Sequence, residues 1–305
     1  MGIPNGYNTA PGFMAVDAIT GGLNTIGDVF FVDANAGVDT NDGLTWESAF
    51  KTLAVAITAN NASIAAGASG WANRNRIYYK GDNKEADAET LITLPNKCDV
   101  VGVGSYDHRP YPVLIGNHVI GAGAYMGTRF FNVGFKSPAA GGAIFTVPTT
   151  TSGLKFYKCF IDGSSTIVAT YGLVATAVEQ LEIIECEFIG LFSAAAISIG
   201  AGESNGLRIL DNIIQSTAIG IKVSATMTAS VRDALIGRNV FDVGTLCVDD
   251  TSGAKVRVFE NRGRTAANGS IDETLVCTAA LSCNNIITCS AGTQSIYPPI
   301  AAIPA

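Results

Sequence analysis

The chain has 305 residues, only 15% of them charged, with a formal net charge of −7 and an isoelectric point near 4.8. That acidic balance argues against nucleic acid and against anionic membranes as partners, and no run of ~18 or more uninterrupted apolar residues marks a membrane span. The mean hydropathy of +0.30 is apolar for a soluble chain, so part of the outer surface is expected to be buried against other subunits.

In chain order, residues 1–28 read as an extended arm, rich in Gly, Asn, Pro and Thr, whose Ile3, Tyr7, Phe13 and Met14 are candidate assembly contacts. The first residues lack a basic stretch followed by an apolar core, so no secretory signal is expected. Residues 29–97 read as an N-terminal cap. Within it Phe30, Phe31 and Val32 open a strand, DANAGVDTNDG (33–43) is dense turn chemistry, Trp46–Ala59 has helical spacing, and Ile77–Tyr79 begins another strand. Cys98–Val103 reads as the first full rung of a repeat that runs to 293. The chain closes on an apolar, proline-stiffened tail (294–305) in which Tyr297, Pro298 and Pro299 are further candidate contacts.

The repeat is the strongest signal. Anchored on Val133, Cys159, Cys186, Asn212, Asn239, Asn261 and Asn284, seven segments recur at spacings of 26, 27, 26, 27, 22 and 23. Three positions before the anchors stand Phe130, Phe156, Ile183, Ile209, Ile236, Val258 and Leu281. Two positions after them stand Phe135, Ile161, Phe188, Ile214, Phe241 and Ile286, with Gly263 the exception. Such a period marks a solenoid. Triplets such as Leu154-Lys155-Phe156 and Leu207-Arg208-Ile209 alternate in twos, which is strand periodicity. A second apolar run (143–147, 172–175, 196–199, 219–223, 246–248) gives each coil at least two strands. The predicted fold is all-β, a right-handed parallel β-helix with an N-terminal cap containing a short α-helix, the hand following from the crossover rule. The anchor asparagines are expected to stack as a ladder, taking the left-handed backbone of a tight turn.

The segment Val29–Ile57, with Gly43, Leu44, Thr45, Trp46, Ala49, Phe50, Lys51, Thr52 and Leu53 as its core phrase, resembles the opening of pectate-lyase-like right-handed β-helix proteins. That superfamily contains polysaccharide lyases and hydrolases, bacteriophage tailspikes, and catalytically silent virion and surface proteins, so the resemblance speaks to fold rather than function. Its hydrolases imply clustered carboxylates on neighbouring coils; Glu182, Glu185, Glu187, Asp211 and Asp233 are the outward ones here. Glu182 falls between Lys155 and Arg208, and Glu185 and Asp211 between Lys158 and Arg238, which reads as ladders of mostly alternating sign. Its lyases imply carboxylate-bound calcium and an Arg or Lys base, for which Arg208, Arg232 and Arg238 are nominees without a stacked Asp trio beside them. Both tryptophans, Trp46 and Trp71, lie in the cap rather than along a groove.

The 33–43 turn fails the EF-hand pattern, since its sixth residue is Val38 and its twelfth Leu44. Asx turns are the better account, and a loose calcium site using Asp33, Asp39 and Asp42 is the alternative. Two histidines (His108, His118) and no C-x-x-C pair leave little for zinc, and no cofactor is expected. The seven cysteines read as buried reduced thiols, with Cys159 and Cys186 in disulfide reach if oxidised. A rigid solenoid with an uncharged arm and an uncharged tail favours a non-enzymatic bacteriophage virion protein assembled in the host cytoplasm. It would be a capsid decoration or surface-fibre subunit, expected as a homotrimer bound to capsid or other virion proteins. The alternatives are a carbohydrate-active β-helix that binds glycans, either a short tailspike or a polysaccharide lyase, and a cell-surface adhesin.

Overall fold

The computed structural model describes residues 27–66, 74–81, 87–104, 111–138, 141–164, 168–202, 205–224, 234–251, 256–266, 275–277, 282–289 and 294–297. Of the proposed assembly contacts, Ile3, Tyr7, Phe13, Met14, Pro298 and Pro299 lie outside these residues, as do Trp71, Arg232 and Asp233.

The chain is an all-β parallel solenoid with one helix. Three long sheets of ten, seven and ten strands run along it, beside a two-stranded one (Tyr125–Met126 with Thr151–Ser152), and the coils from Cys98–Val103 to Val256–Phe259 each give one strand to each long sheet. The short runs rich in β-branched and aromatic residues, broken by Gly, Asn and Ser, form these strands because their apolar residues alternate in twos, which buries one face of a strand and not one stripe of a helix. The first sheet carries the column Phe30, Ile77, Val100, Phe130, Phe156, Ile183, Ile209, Ile236 and Val258, paired rung by rung. All nine are buried, so the inward register read from the repeat holds. The second sheet uses the second apolar run, for example Ala143–Val147, Ala195–Ile199 and Ile219–Val223. The third begins just after each anchor, as in Phe160–Ser164 and Ile213–Ser216. Gly263 interrupts its inward column because a Cβ there would lie 2.6 Å from Phe241 Cβ and 2.7 Å from Phe241 O.

The anchor is therefore a corner between the first and third sheets, and its chemistry differs from the expectation. The left-handed residue is the one before the anchor: Asn132, Lys158, Glu185, Asp211, Arg238, Glu260 and Asn284 all have φ between 52° and 60°. The anchor itself points inward and bonds the next coil. Asn212 N–H donates to Asn239 Oδ1 (3.0 Å), Asn239 N–H to Asn261 Oδ1 (3.0 Å) and Asn261 N–H to Asn285 Oδ1 (3.0 Å). The last anchor is thus Asn285, not Asn284. The one-residue shift turns Ile287 inward and leaves Ile286 39% exposed, as a period of two requires.

Val29–Asp33 and Asn75–Lys80 are the first two strands of the first sheet, ahead of Cys98–Val103. The helix spans Leu53–Ala66 rather than 46–59. Phe50 is held in a bridge with Val32, its N–H donating to Phe31 O, so helical turns cannot start before it. Helix start is set by three caps. Asp39 Oδ1 accepts from the Lys51 and Thr52 N–H groups, Thr52 Oγ1 from Val55 N–H, and the Glu89 carboxylate from Leu53 and Ala54 N–H. At the far end Gln294–Tyr297 turns back and pairs antiparallel with Asn285–Cys289, covering the third sheet's last edge.

Candidate functional site

The three carboxylates of the 33–43 turn do not converge. Asp33 Oδ1 accepts from Asn35 and Ala36 N–H (both 3.0 Å) and Oδ2 from Lys80 Nζ (2.6 Å). Burial pushes its carboxyl up, but Lys80 and the two backbone donors outweigh that and hold it below the ordinary range. Asp42 Oδ1 accepts from Leu44 N–H and Ser48 Oγ, which keeps that carboxyl low too. With Asp39 on the helix start, each carboxylate serves an Asx turn or a cap. Among the described residues no group of three or more His, Cys, Asp or Glu is placed to hold a metal.

The outer face of the first sheet and the corner beside it carry ladders of mostly alternating sign, with Lys155 also in register with Arg129. Lys155 Nζ lies 3.0 Å from Glu182 Oε1, Lys158 Nζ 3.3 Å from Glu185 Oε2, and Arg238 makes two bonds to Asp211 (2.7 and 2.6 Å). Glu182 also accepts from the Tyr157 hydroxyl. Burial raises its carboxyl, yet Tyr157 and Lys155 together hold it below its ordinary value, so it is an anion rather than a proton donor. Burial, then the adjacent Glu182, pushes the Tyr157 phenol well up.

Nearer the cap, fully buried Asp99 receives Arg129 (2.6 and 2.8 Å) and Arg74 Nη1 (2.9 Å). This cluster was missed in the sequence. Its signal is the register Arg76, Asp99, Arg129, visible only once the cap strand joins the sheet. Beside it runs an outward aromatic column: Phe31 stacks on Tyr78 (centroids 5.6 Å) and Phe131 on Tyr157 (5.2 Å, 7°). Tyr78 and Phe131 are themselves buried, so the column is a packed cluster and not an open platform.

The third sheet forms one side of an open groove of about 680 Å³. Its polar lining includes Lys136, Asp162, Gln215 and Asp242, which share one outward column. Asp162 and Asp242 are three rungs apart, ~14 Å at the usual strand spacing. Carboxylate pairs that cleave glycosidic bonds sit roughly 5–9.5 Å apart. Asp242 is also bound by Arg264 (2.8 and 2.8 Å), which lowers its carboxyl and removes it as an acid.

His118 and the described cysteines lie inside. His118 Nδ1 accepts from Leu91 N–H (3.1 Å), its Nε2 has no partner, and burial pushes its imidazole down to about 3. Cys98, Cys159, Cys186 and Cys247 are buried and unbridged. Burial pushes the Cys247 thiol up to about 12 and the Cys98 and Cys186 thiols up as well, so these are inert groups. No family model matches the chain, and no curated protein or solved structure matches it either.

Proposed function

We propose that this chain is a non-catalytic structural subunit of a bacteriophage particle, a capsid decoration or surface fibre that works as a homo-oligomer. The observation that carries the proposal is the use made of the outward charges. Lys155, Lys158, Asp211, Asp242 and their partners are joined rung to rung, and the groove's carboxylates stand ~14 Å apart. A surface of this kind stiffens a rod; it does not hold a free acid and a free base on one bond. The buried amide ladder and continuous core suit a part that must survive exposed on a particle. The resemblance of Val29–Ile57 to pectate-lyase-like proteins agrees with a virion member of that superfamily. The expected trimer is one form of such an assembly. Mass spectrometry of purified particles from the source that encodes the chain tests the proposal. A fixed copy number per particle supports it; its presence only in the soluble fraction opposes it.

The groove with Lys136, Asp162, Gln215 and Asp242 favours a second reading, a carbohydrate-active β-helix. Its open, polar lining offers hydrogen bonds at multiples of the rung spacing to an extended sugar chain. Glycan-array binding lost in Gln215→Ala would support that reading.

A further inference from the structure

The charges that pair within the chain leave a stripe that does not. On the outer face of the third sheet, Glu187, Ile213, Val240, Arg262 and Ile286 follow one another in a single column. Ile213 is 48%, Val240 50% and Ile286 39% exposed, three large aliphatic side chains in one line on a solvent-facing sheet. Glu187 is half-buried and Arg262 exposed, and neither has an ion-pair partner among the described residues. Their in-column neighbours explain why. Glu187 lies between Phe160 and Ile213, and Arg262 between Val240 and Ile286, so no opposite charge is one rung away.

The order along four rungs is acid, apolar, apolar, base. That order is complementary to its own reverse. Two such sheets laid face to face about a two-fold axis along the strand direction run their solenoids antiparallel. With the axis midway between Ile213 and Val240, each Ile213 meets the other copy's Val240, and each Glu187 meets the other copy's Arg262. Two-fold parallel packing of the same face sets like charges at equal heights and brings Glu187 near Glu187. We infer that the stripe Glu187–Ile213–Val240–Arg262 is an isologous interface through which two copies of this chain pair antiparallel. The next column supports the same axis, because reversal places Gln215 opposite the second copy's Asp242, a donor against an acceptor. This inference goes beyond the virion reading and stands whatever particle or surface the chain belongs to; a trimer would have to use another face.

Sedimentation velocity over ~1–100 μM, together with light scattering, tests it. The wild type is expected to shift with concentration toward twice the 31.5 kDa chain mass. Val240→Asp is expected to stay monomeric, with its circular dichroism spectrum unchanged because the position is solvent-facing. Glu187→Lys and Arg262→Glu should each weaken the dimer at least ~10-fold, and the double variant Glu187→Lys/Arg262→Glu should recover to within ~3-fold of wild type. A wild type that is monomeric throughout overturns the inference. So does an oligomer indifferent to Val240→Asp, or a double variant no better than the singles.

Discussion

The two halves of the solenoid solve one corner in different chemistry. In the earlier coils the anchors are Val133, Cys159 and Cys186, and the interior is ring-filled. Phe130 stacks on Phe156 (5.4 Å, 15°), while Phe135 and Phe145 meet them edge-on. In the later coils the anchors are Asn212, Asn239, Asn261 and Asn285, and the first-sheet column is Ile or Val. The bonding positions are nonetheless equivalent. Each Asn Nδ2 donates to the carbonyl three residues before the preceding anchor, as Asn212 does to Ile183 and Asn239 to Ile209. The Cys186 and Cys159 thiols donate to Phe156 O (3.4 Å) and Phe130 O (3.5 Å), the same positions one and two coils earlier. A thiol is a weak donor and weak acceptor, so the earlier corners rely on aromatic packing and the later ones on amide bonds.

The comparison can be broken hardest at the column both halves share. Ile183→Asp puts an unpaired charge among fully buried side chains and is expected to cost ~4 kcal/mol or more, read as a collapse of the denaturant midpoint. Next comes the ladder. Asn239→Ala leaves Asn212 N–H, Asn212 Nδ2, Ile209 O and Asn261 Oδ1 short of a partner, a loss of about 3 kcal/mol. Cys186→Ala removes only weak sulfur contacts and a small apolar volume, about 1 kcal/mol. Cys186→Asn should extend the ladder at little cost, whereas Asn239→Cys should not be tolerated equally.

Acid should act through the earlier half. His118 is neutral in the fold with its imidazole pushed down to about 3 from an ordinary 6.5, so the unfolded chain binds a proton that the folded chain refuses. Stability therefore falls as pH drops from 6.5 toward 3, by up to ~1.4 kcal/mol per pH unit. Glu182, whose folded value lies below the ordinary 4.5, adds a loss in the same direction only below about pH 4.5. His118→Gln should remove the first part and leave the second, seen as a flatter pH dependence of unfolding between 6.5 and 4.5.

The smallest effects separate Asn284 from Asn285. Asn284 is exposed at φ 54°, so Asn284→Gly is expected to change stability by no more than ~0.5 kcal/mol. Asn285→Ala removes the acceptor of Asn261 and should cost about 2 kcal/mol in thermal unfolding.

That pair also marks how far the sequence could be read. The repeat placed Phe130, Phe156, Ile183, Ile209 and Ile236 in one buried column, and the second apolar run on a second sheet, because burial imposes period two on each strand. It slipped by one residue at the last coil. Two adjacent asparagines offered two anchors there, and the neighbours Leu281 and Ile286 fitted the wrong one. The helix start was misplaced because Ala49, Phe50, Leu53 and Ile57 have helical spacing, while the bridge from Val32 to Phe50 and the caps from Asp39 and Glu89 come from distant positions. The Lys155–Glu182 and Asp211–Arg238 pairs were legible from register alone. The Asp99 arginine cluster and the Tyr157–Glu182 bond were not, since each needs the cap strands or a side-chain direction that spacing does not supply.

The central proposal is that the chain is non-catalytic, and it rests on the pairing of outward charges among the described residues. The direct measurement is incubation of purified protein with a panel of acidic and neutral polysaccharides, with and without calcium, following unsaturated product and new reducing ends. The account predicts no turnover on any substrate. Turnover that disappears in Asp242→Asn or Asp211→Asn, with the fold intact, would contradict it.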